Sequence, residues 1–471
     1  MVKYNDLPVK LMLYPAIIFL IIGMTVGTFM AFNAFIFPDY FAGEYIHFGR
    51  IRPVHVGTVA LLWLYSVGVG FFYYFVPRLC GVPIWSSRLA YISIFFWWAA
   101  LGIGVNSYPW GTNFGWEYAE LPDWVWWIPV KPMFVIAWVL VGVNIYMTIF
   151  TRKYQKMYVS LWYAMGTIIW ATFTYLVGSY GINFVPDGIS KVNVSWFYVH
   201  NLVGLIFTPM GLAAAYYFLP KLADTPIHSH RLSMVGFWSI AFVYGWIGAH
   251  HMMHGPISQW LQTVAVIFSL WLSIPVFTVV HNLFYTLLPE WKKYTQSVPI
   301  RFLMMGIMFY FVTCIQGPLM ALRNINEITS KTDWVIGHSH VSLYATFTFF
   351  AFAGIYQCIP VITGKPLWSE RMAVWHFNLN IIGCIPFLLA LWVGGFYQGM
   401  LWARWAEGSS YAEYHSALST LPFLQTVADM RPWWILRGLG GMIILLGNVI
   451  FAVNVFNTVL LKENETEGVP A

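Results

Sequence analysis

The stretch DWVIGHSHVSLYATFTFFAFAGIYQCIPV, residues 333–361, opens on two histidines, His338 and His340, and then runs uncharged and apolar through 341–361. A run of that length crosses the roughly 30 Å hydrocarbon core of a bilayer as one α-helix. Working outward, similar runs recur at about 11–37, 53–78, 88–106, 132–151, 158–184, 193–221, 231–253, 258–289, 300–328, 371–400 and 434–461. Hydrophobic residues make up 59% of the 471-residue chain and charged residues 9%, against about 25% charged in a soluble domain. The reading is an all-α polytopic membrane protein of twelve transmembrane helices, a single integral membrane domain with a short polar tail at about 462–471. The sequence offers no convincing internal repeat. The first run is too long for a cleavable signal, staying apolar past Pro15 and Gly23 to about Phe37.

The net charge of +6 is scattered over short connections, which argues against a nucleic-acid footprint. About fifteen of the 24 Lys and Arg fall on the side of the N-terminus, among them Lys3, Lys10, Arg152, Lys153, Lys292 and Lys293. Basic loops face the cytoplasm, so both termini are expected there. The longer connections on the other side carry Trp110, Trp116, Trp124, Trp126, Trp127, Trp402, Trp405, Trp433 and Trp434, which read as an interfacial aromatic belt. Cys80, Cys314, Cys358 and Cys384 stand singly, with no CxxC or CxxCH, which disfavours zinc ribbons, iron–sulfur clusters and attached c-type haem.

Six histidines fall at one membrane level: His55, His200, His250, His251, His338 and His340. Histidine is costly in a bilayer and common as a metal ligand. Two residues apart on a helix means about 200° of rotation, so His338 and His340 point to opposite faces. His340 could then pair with His55 across one haem, leaving His338 to bind a second haem from one side only. Adjacent His250 and His251 differ by about 100° and can reach one ion, with His200 as a third imidazole, a set that suits copper. A lone histidine at a membrane end reads instead as an interfacial residue, the reading for His47, His228, His230, His254, His281, His376 and His415.

The segments Arg52-Pro-Val-His55, Trp196-Phe-Tyr-Val-His-Asn201, Tyr244-Gly-Trp-Ile-Gly-Ala-His-His251 and Thr332-Asp-Trp-Val-Ile-Gly-His-Ser-His340 together resemble the haem–copper oxidase superfamily. Within it they are similar to the catalytic subunits of cbb3-type cytochrome c oxidases, over nearly the whole chain and in the subunit I order of twelve helices. The resemblance implies that His55 and His340 ligate a low-spin haem b, that His338 is the proximal ligand of a high-spin haem b, and that His200, His250 and His251 bind copper. It implies dioxygen reduction to water coupled to proton translocation in a bacterial cytoplasmic membrane. Electrons would come from membrane-anchored mono- and di-haem cytochrome c subunits.

Tyr244 lies six residues before His250, roughly 9 Å deeper if the helix is continuous. The main oxidase subfamily carries a tyrosine four residues after its first copper histidine. Here that position is Gly204, and Tyr244 matches the cbb3 arrangement, in which the phenol is linked to the histidine corresponding to His200. Thr208, Tyr216, Ser233 and Tyr244 resemble the family's single proton path; each alone reads as a packing hydroxyl. Glu117 resembles a residue holding calcium near the haem propionates, and reads equally as a solvated loop carboxylate. Arg52, Arg323 and Lys331 are propionate partners by position. One departure stands out: the family's Glu-Gly-Pro in the ninth span is Gln316-Gly317-Pro318 here, so the group facing His338 carries no negative charge.

The competing readings are nitric oxide reduction on the same scaffold, a haem-free transporter and a di-haem electron carrier. The first wants a carboxylate near the metal histidines, and His200 is followed by Asn201, Leu202, Val203, Gly204 and Leu205. The second wants acidic residues in mid-membrane, where this chain has almost none. The third leaves His200, His250 and His251 idle.

Overall fold

The computed structural model describes residues 2–37, 43–112, 121–407 and 422–461, with backbone only for 404–407 and 422–424. Among these are twelve helical spans long and apolar enough to cross a membrane: Leu7–Ile36 (α1), Phe48–Cys80 (α2), Ser87–Trp110 (α3), Val130–Phe150 (α4), Val159–Phe184 (α5), Ile189–Ala223 (α6), His230–Met252 (α7), Gln259–Glu290 (α8), Val298–Ala321 (α9), Asp333–Thr363 (α10), Glu370–Ala403 (α11) and Gln425–Leu460 (α12). Helices satisfy their backbone groups internally, which is what hydrocarbon demands. With an even number of spans, Leu7 and Leu460 lie on one face of the bundle, called here the terminal side.

Two boundaries differ from the hydropathy reading by more than five residues. The ninth span, expected to 328, stops at Ala321, where Leu322 turns extended before a separate short helix, Arg323–Thr329. The twelfth starts earlier than 434, because Arg431 donates to the Ile36 carbonyl at 3.4 Å and so is accommodated within the helix.

The structure also corrects the absence of a repeat. After α2, α6 and α10 the chain reads PRLCGVPIWSSR (77–88), PKLADTPIHSHR (220–231) and PVITGKPLWSER (360–371). Each copy ends its helix with a left-handed residue (Gly81, φ +66°; Asp224, φ +53°; Gly364, φ +70°) whose N–H reaches the proline carbonyl four residues back. Each then caps the next helix with a serine side chain, Ser86, Ser229 or Ser369, at 3.2 Å.

The same serine's backbone is held by an asparagine amide from the following span: Asn144, Asn282 and Asn454 each accept from its N–H and donate to its carbonyl at 2.8–3.0 Å. A threonine one turn later, Thr148, Thr286 or Thr458, accepts from the preceding N–H. Three copies of one turn thus tie three sets of spans together. The signal escapes a reading of the sequence because its partners lie far apart along the chain and the copies share few letters.

The first span of each set is the inner one. The apolar windows of α2, α6 and α10 are 94, 89 and 83% buried, against 33–56% for the other nine. These three helices form the centre of the bundle.

Candidate metal centre

Each inner helix carries a histidine near its outer end and then widens into a π-helical turn. His55 precedes Thr58–Tyr65, His200 precedes Leu202–Phe207, and His340 precedes Val341–Thr348. Hydroxyls close these turns by donating five residues back: Ser66 to Leu61 at 3.0 Å, Thr208 to Val203 at 2.9 Å, Thr346 to Val341 at 2.9 Å and Thr348 to Leu343 at 3.0 Å. Such turns are rare and concentrate at functional sites.

His55 and His340 form one pair. Nδ1 of His55 donates to Gly23 O at 2.8 Å and Nδ1 of His340 to Ile336 O at 2.8 Å, so each ring offers Nε2 as a ligand. Their ring centres are 6.4 Å apart and 18° from parallel. Two imidazoles bonded at about 2.0–2.1 Å to opposite sides of one metal, with about 1.1 Å from nitrogen to ring centre, would stand about 6.3 Å apart. Gly27 makes room for this: a Cβ there would lie 2.5 Å from His55 Cε1 and 2.6 Å from Nδ1.

His200, His250 and His251 form a second group, with ligand atoms all within 4.8 Å of one another. Their approach is built by a helix that does not continue. α-Helical geometry ends at Val243, and Tyr244–Trp246 and Gly248–Met252 are 3₁₀ turns, so Tyr244 is not placed by a continuous α-helix as expected. Gly248 presses on the backbone of α6, where a Cβ would lie 2.8 Å from Trp196 O, and this contact brings His250 and His251 to His200. Nδ1 of His250 donates to Ser269 Oγ at 2.9 Å, whose own proton goes to Ala265 O at 2.6 Å. That chain leaves Nε2 of His250 as the ligand atom. The Trp196 ring stacks on His251 at 4.1 Å.

Tyr244 lies against His200, ring centres 5.4 Å apart. Its ring fills the space where a Cβ at position 204 would be, so Gly204 is required for this contact. Across a small cavity from His250 and His251 stands His338, two residues before His340 on the same helix. Its Nδ1 has Gln316 Oε1 and Thr313 Oγ1 each at 3.4 Å. Gly317 also lines the cavity and leaves the His338 ring uncovered, with a Cβ there 3.5 Å from Cε1.

The donor set fits haem and copper. Imidazoles are ligands for both, and among the described residues the only group of three or more potential ligands within metal-binding distance is this trio of histidines. Buried polar atoms without partners gather here too: Nδ1 of His200 and the indole N–H groups of Trp334 and Trp392, the latter against Gly337. Orphaned buried donors call for an acceptor, and a macrocycle bearing carboxylates supplies one.

Of the remaining expected site residues, Arg52 sits one turn before His55 on the same helix. Arg323 donates to Thr263 Oγ1 at 3.0 Å. Glu117 lies outside the described residues. Thr208 approaches the Tyr244 hydroxyl, whereas Ser233 donates back to His230 O at 2.7 Å. The Tyr216 hydroxyl is buried and approaches Asn282, and its ring stacks on Tyr163 at 5.8 Å.

Two expectations are overturned. Trp434 is no belt residue: it is buried and donates to Asp333 Oδ2 at 2.8 Å, beside a buried Asp333–Arg437 ion pair at 3.5 Å. His376 is no interfacial residue but fully buried. Sequence reasoning also missed Gly27 and Ser269, because neither residue type marks a ligand support until the fold brings it to a histidine.

The family profile described as Cytochrome C and Quinol oxidase polypeptide I matches residues 8–443. A cytochrome c oxidase subunit 1 homolog of Azorhizobium caulinodans is 31% identical over 99% of this chain and 84% of its own length. The cbb3-type cytochrome c oxidase subunit CcoN1 of Stutzerimonas stutzeri is 30% identical over 93% of this chain and 92% of its own. A solved heme-copper terminal oxidase superimposes with a TM-score of 0.71 at 16% identity, covering 97% of this chain and 84% of that one, which shows the shared fold. With residues 8–443 matched and the fold shared with a solved relative, the chain belongs to the cytochrome c and quinol oxidase polypeptide I family of membrane oxidoreductases.

Proposed function

We propose that this chain is the core of a cbb3-type terminal respiratory oxidase, reducing dioxygen to water in a bacterial cytoplasmic membrane and translocating protons. The observation that carries the reading is the trio of imidazoles within 4.8 Å, facing His338 across a cavity. His200, His250 and His251 would hold copper, His338 a high-spin haem b from one side, and His55 with His340 a low-spin haem b from both. When bound, these groups would deliver electrons to dioxygen and polarise it.

The chain's own residues orient and supply. Gly23 O, Ile336 O and Ser269 Oγ fix the tautomers of His55, His340 and His250. Tyr244, held against His200, is the phenol placed to give up a hydrogen atom to the site. Thr208, Tyr216 and Ser233 would feed protons to it from the terminal side, which the basic loops assign to the cytoplasm. Electrons would enter through the His55–His340 haem from membrane-anchored mono- and di-haem cytochrome c subunits. No Asp or Glu joins the trio among the described residues, which favours copper over the non-haem iron of nitric oxide reduction.

The test is haem and metal analysis of the purified complex, with reduced-minus-oxidised and carbon monoxide difference spectra. The proposal requires two b haems in this subunit, one of them binding carbon monoxide, and one copper. Non-haem iron in place of copper would make nitric oxide reduction the better reading.

A further inference from the structure

His376 sits in the middle of the third set of spans, fully buried, with both ring nitrogens engaged. Tyr356 Oη lies 3.0 Å from Nδ1 and Asn448 Oδ1 lies 3.2 Å from Nε2. The Asn448 amide donates in turn to the Tyr344 hydroxyl at 2.8 Å, and Tyr344 also bonds Asn380. Tyr344 is one turn below His340. Toward the terminal side, Tyr356 approaches Asn454, which holds the Ser369 turn at the surface. A file of hydrogen-bonding groups therefore runs from the terminal-side turn to the turn beneath a histidine of the His55–His340 pair.

The internal repeat separates what this file needs structurally from what it adds. The position four residues before the helix-ending proline is Tyr73, Tyr216 and Tyr356 in the three copies. The position seven residues after the capping serine is Ser93, Gly236 and His376. In the first copy Tyr73 and Ser93 bond at 2.8 Å; in the second, where Gly236 offers no side chain, the Tyr216 hydroxyl approaches Asn282, as Tyr356 approaches Asn454 in the third. Packing at this place is thus met by serine or glycine. The third copy alone inserts a base there, and it is tolerated because both ring nitrogens are hydrogen-bonded.

The hydrogen-bond partners can serve either protonation state of the ring. Asn448 Oδ1 is an acceptor for Nε2–H in either state. The Tyr356 hydroxyl can donate to a neutral Nδ1 or, by rotating, accept from a protonated one. Phe302, Phe352 and Phe451 enclose the imidazole with ring centres at 4.5–4.8 Å, the distances at which aromatic rings stabilise a cation. Among the described residues, the titratable groups facing this cluster are Tyr356 from α10 and, beyond Asn448, Tyr344 with Cys384 beside it; α9 faces it with Phe302 and α12 with Phe451, Asn448 and Asn454. The charged side chain that reaches it is Glu370, beyond Tyr356.

We propose that His376 is a proton-holding site, filled from the terminal side through Tyr356, that takes up one proton when one electron enters the haem position between His55 and His340. The electron comes from the donor of the proposed oxidase reaction and the proton from water at the Ser369 turn, so the buried region gains no net charge. The inference rests on the functional reading above.

The test is a spectroscopic redox titration of the low-spin haem in the purified complex at several pH values, for wild type, His376→Ser and Tyr344→Phe. Serine is what the first repeat carries at this position, so the bundle should tolerate it. The expected result is a wild-type reduction equilibrium that shifts with pH, up to tenfold per pH unit for one proton per electron. In His376→Ser the shift is lost while the haem spectrum is kept, and Tyr344→Phe weakens it. A shift absent from wild type, or unchanged in His376→Ser, overturns the proposal and leaves His376 a packing residue. A wild-type complex with no low-spin haem overturns the functional reading instead.

Discussion

Replacing Gly27 by alanine tests the haem pair at a residue that coordinates nothing. The added methyl would lie 2.5 Å from His55 Cε1 and 2.6 Å from Nδ1. Carbon contacts settle at about 3.5–4.0 Å, so the ring must move by about 1 Å. It is tethered through Nδ1 to Gly23 O at 2.8 Å and faces His340 at 6.4 Å, so this displacement breaks the tether or spoils the pair. Overpacking of this kind costs about 1–3 kcal/mol and the lost hydrogen bond about 1 kcal/mol more, too little to unfold a twelve-helix bundle. It is ample to prevent ligation, where distances are held to about 0.2 Å. Gly27→Ala should therefore assemble and bind carbon monoxide but lose the low-spin haem, seen as a missing band in the reduced-minus-oxidised spectrum and one haem fewer per protein. Gly102→Ala, where a Cβ meets nothing within 4 Å, is the matched control and should be silent. A Gly27→Ala complex with a full complement of low-spin haem at unchanged potential would refute the pairing of His55 with His340.

Gly204→Ala puts a methyl where the Tyr244 ring lies, and a displacement of about 1 Å at a reacting group costs on the order of 10²-fold in turnover. Oxygen consumption should fall by that order with both haem spectra intact; wild-type turnover would mean that Tyr244 takes no part. Ser269→Ala removes the acceptor of His250 Nδ1–H and should weaken copper binding about 10- to 100-fold, measured as copper retained against graded chelator. Full retention would remove Ser269 from the site. Gln316→Glu places a carboxylate 3.4 Å from His338 Nδ1, giving that ring imidazolate character, so the carbon-monoxide-binding haem should show a lower midpoint potential. An unchanged or higher potential would show that position 316 does not act through His338.

The twelve spans and the clustered histidines were legible because both are properties of residue type at a given depth. Apolar length marks a span wherever it packs, and His338 and His340 diverge by helical geometry alone. What the chain did not display were relations between distant segments. Gly27 reads as an ordinary helix glycine until the His55 ring is laid against it. Trp434 carries the sign of an interfacial residue, yet the buried Asp333 carboxylate it serves is 101 residues away. Tyr244 was found by its motif and misplaced by its helix, because Gly245 and Gly248 let the chain leave α-geometry to bring His250 and His251 onto α6. His376 was dismissed by type, since a single histidine in a span gives no hint of the tyrosine, the asparagine and the aromatic rings around it.

The repeat explains why the two histidine sites are unlike although their scaffolds are alike. Between α6 and α10 the equivalence is a constant shift of 140: 200 to 340, 208 to 348, 216 to 356, 220 to 360. Under that shift Gly204 corresponds to Tyr344, each four residues after a histidine and just inside a π turn. The side chain at this position decides what can reach the histidine. With tyrosine at 344 the space below His340 is filled from its own helix, and that hydroxyl turns to Asn448 and Asn380. With glycine at 204 the space beside His200 is open, and the ring of Tyr244 enters from α7 to fill it. The two solutions exclude each other at one site: a side chain at 204 would occupy the volume of the Tyr244 ring. One backbone device, a histidine followed by a widened turn, thus leaves the side of His200 in α6 open to a ring from α7, while the space below His340 in α10 is filled from its own helix, and glycine or tyrosine at this position makes that difference.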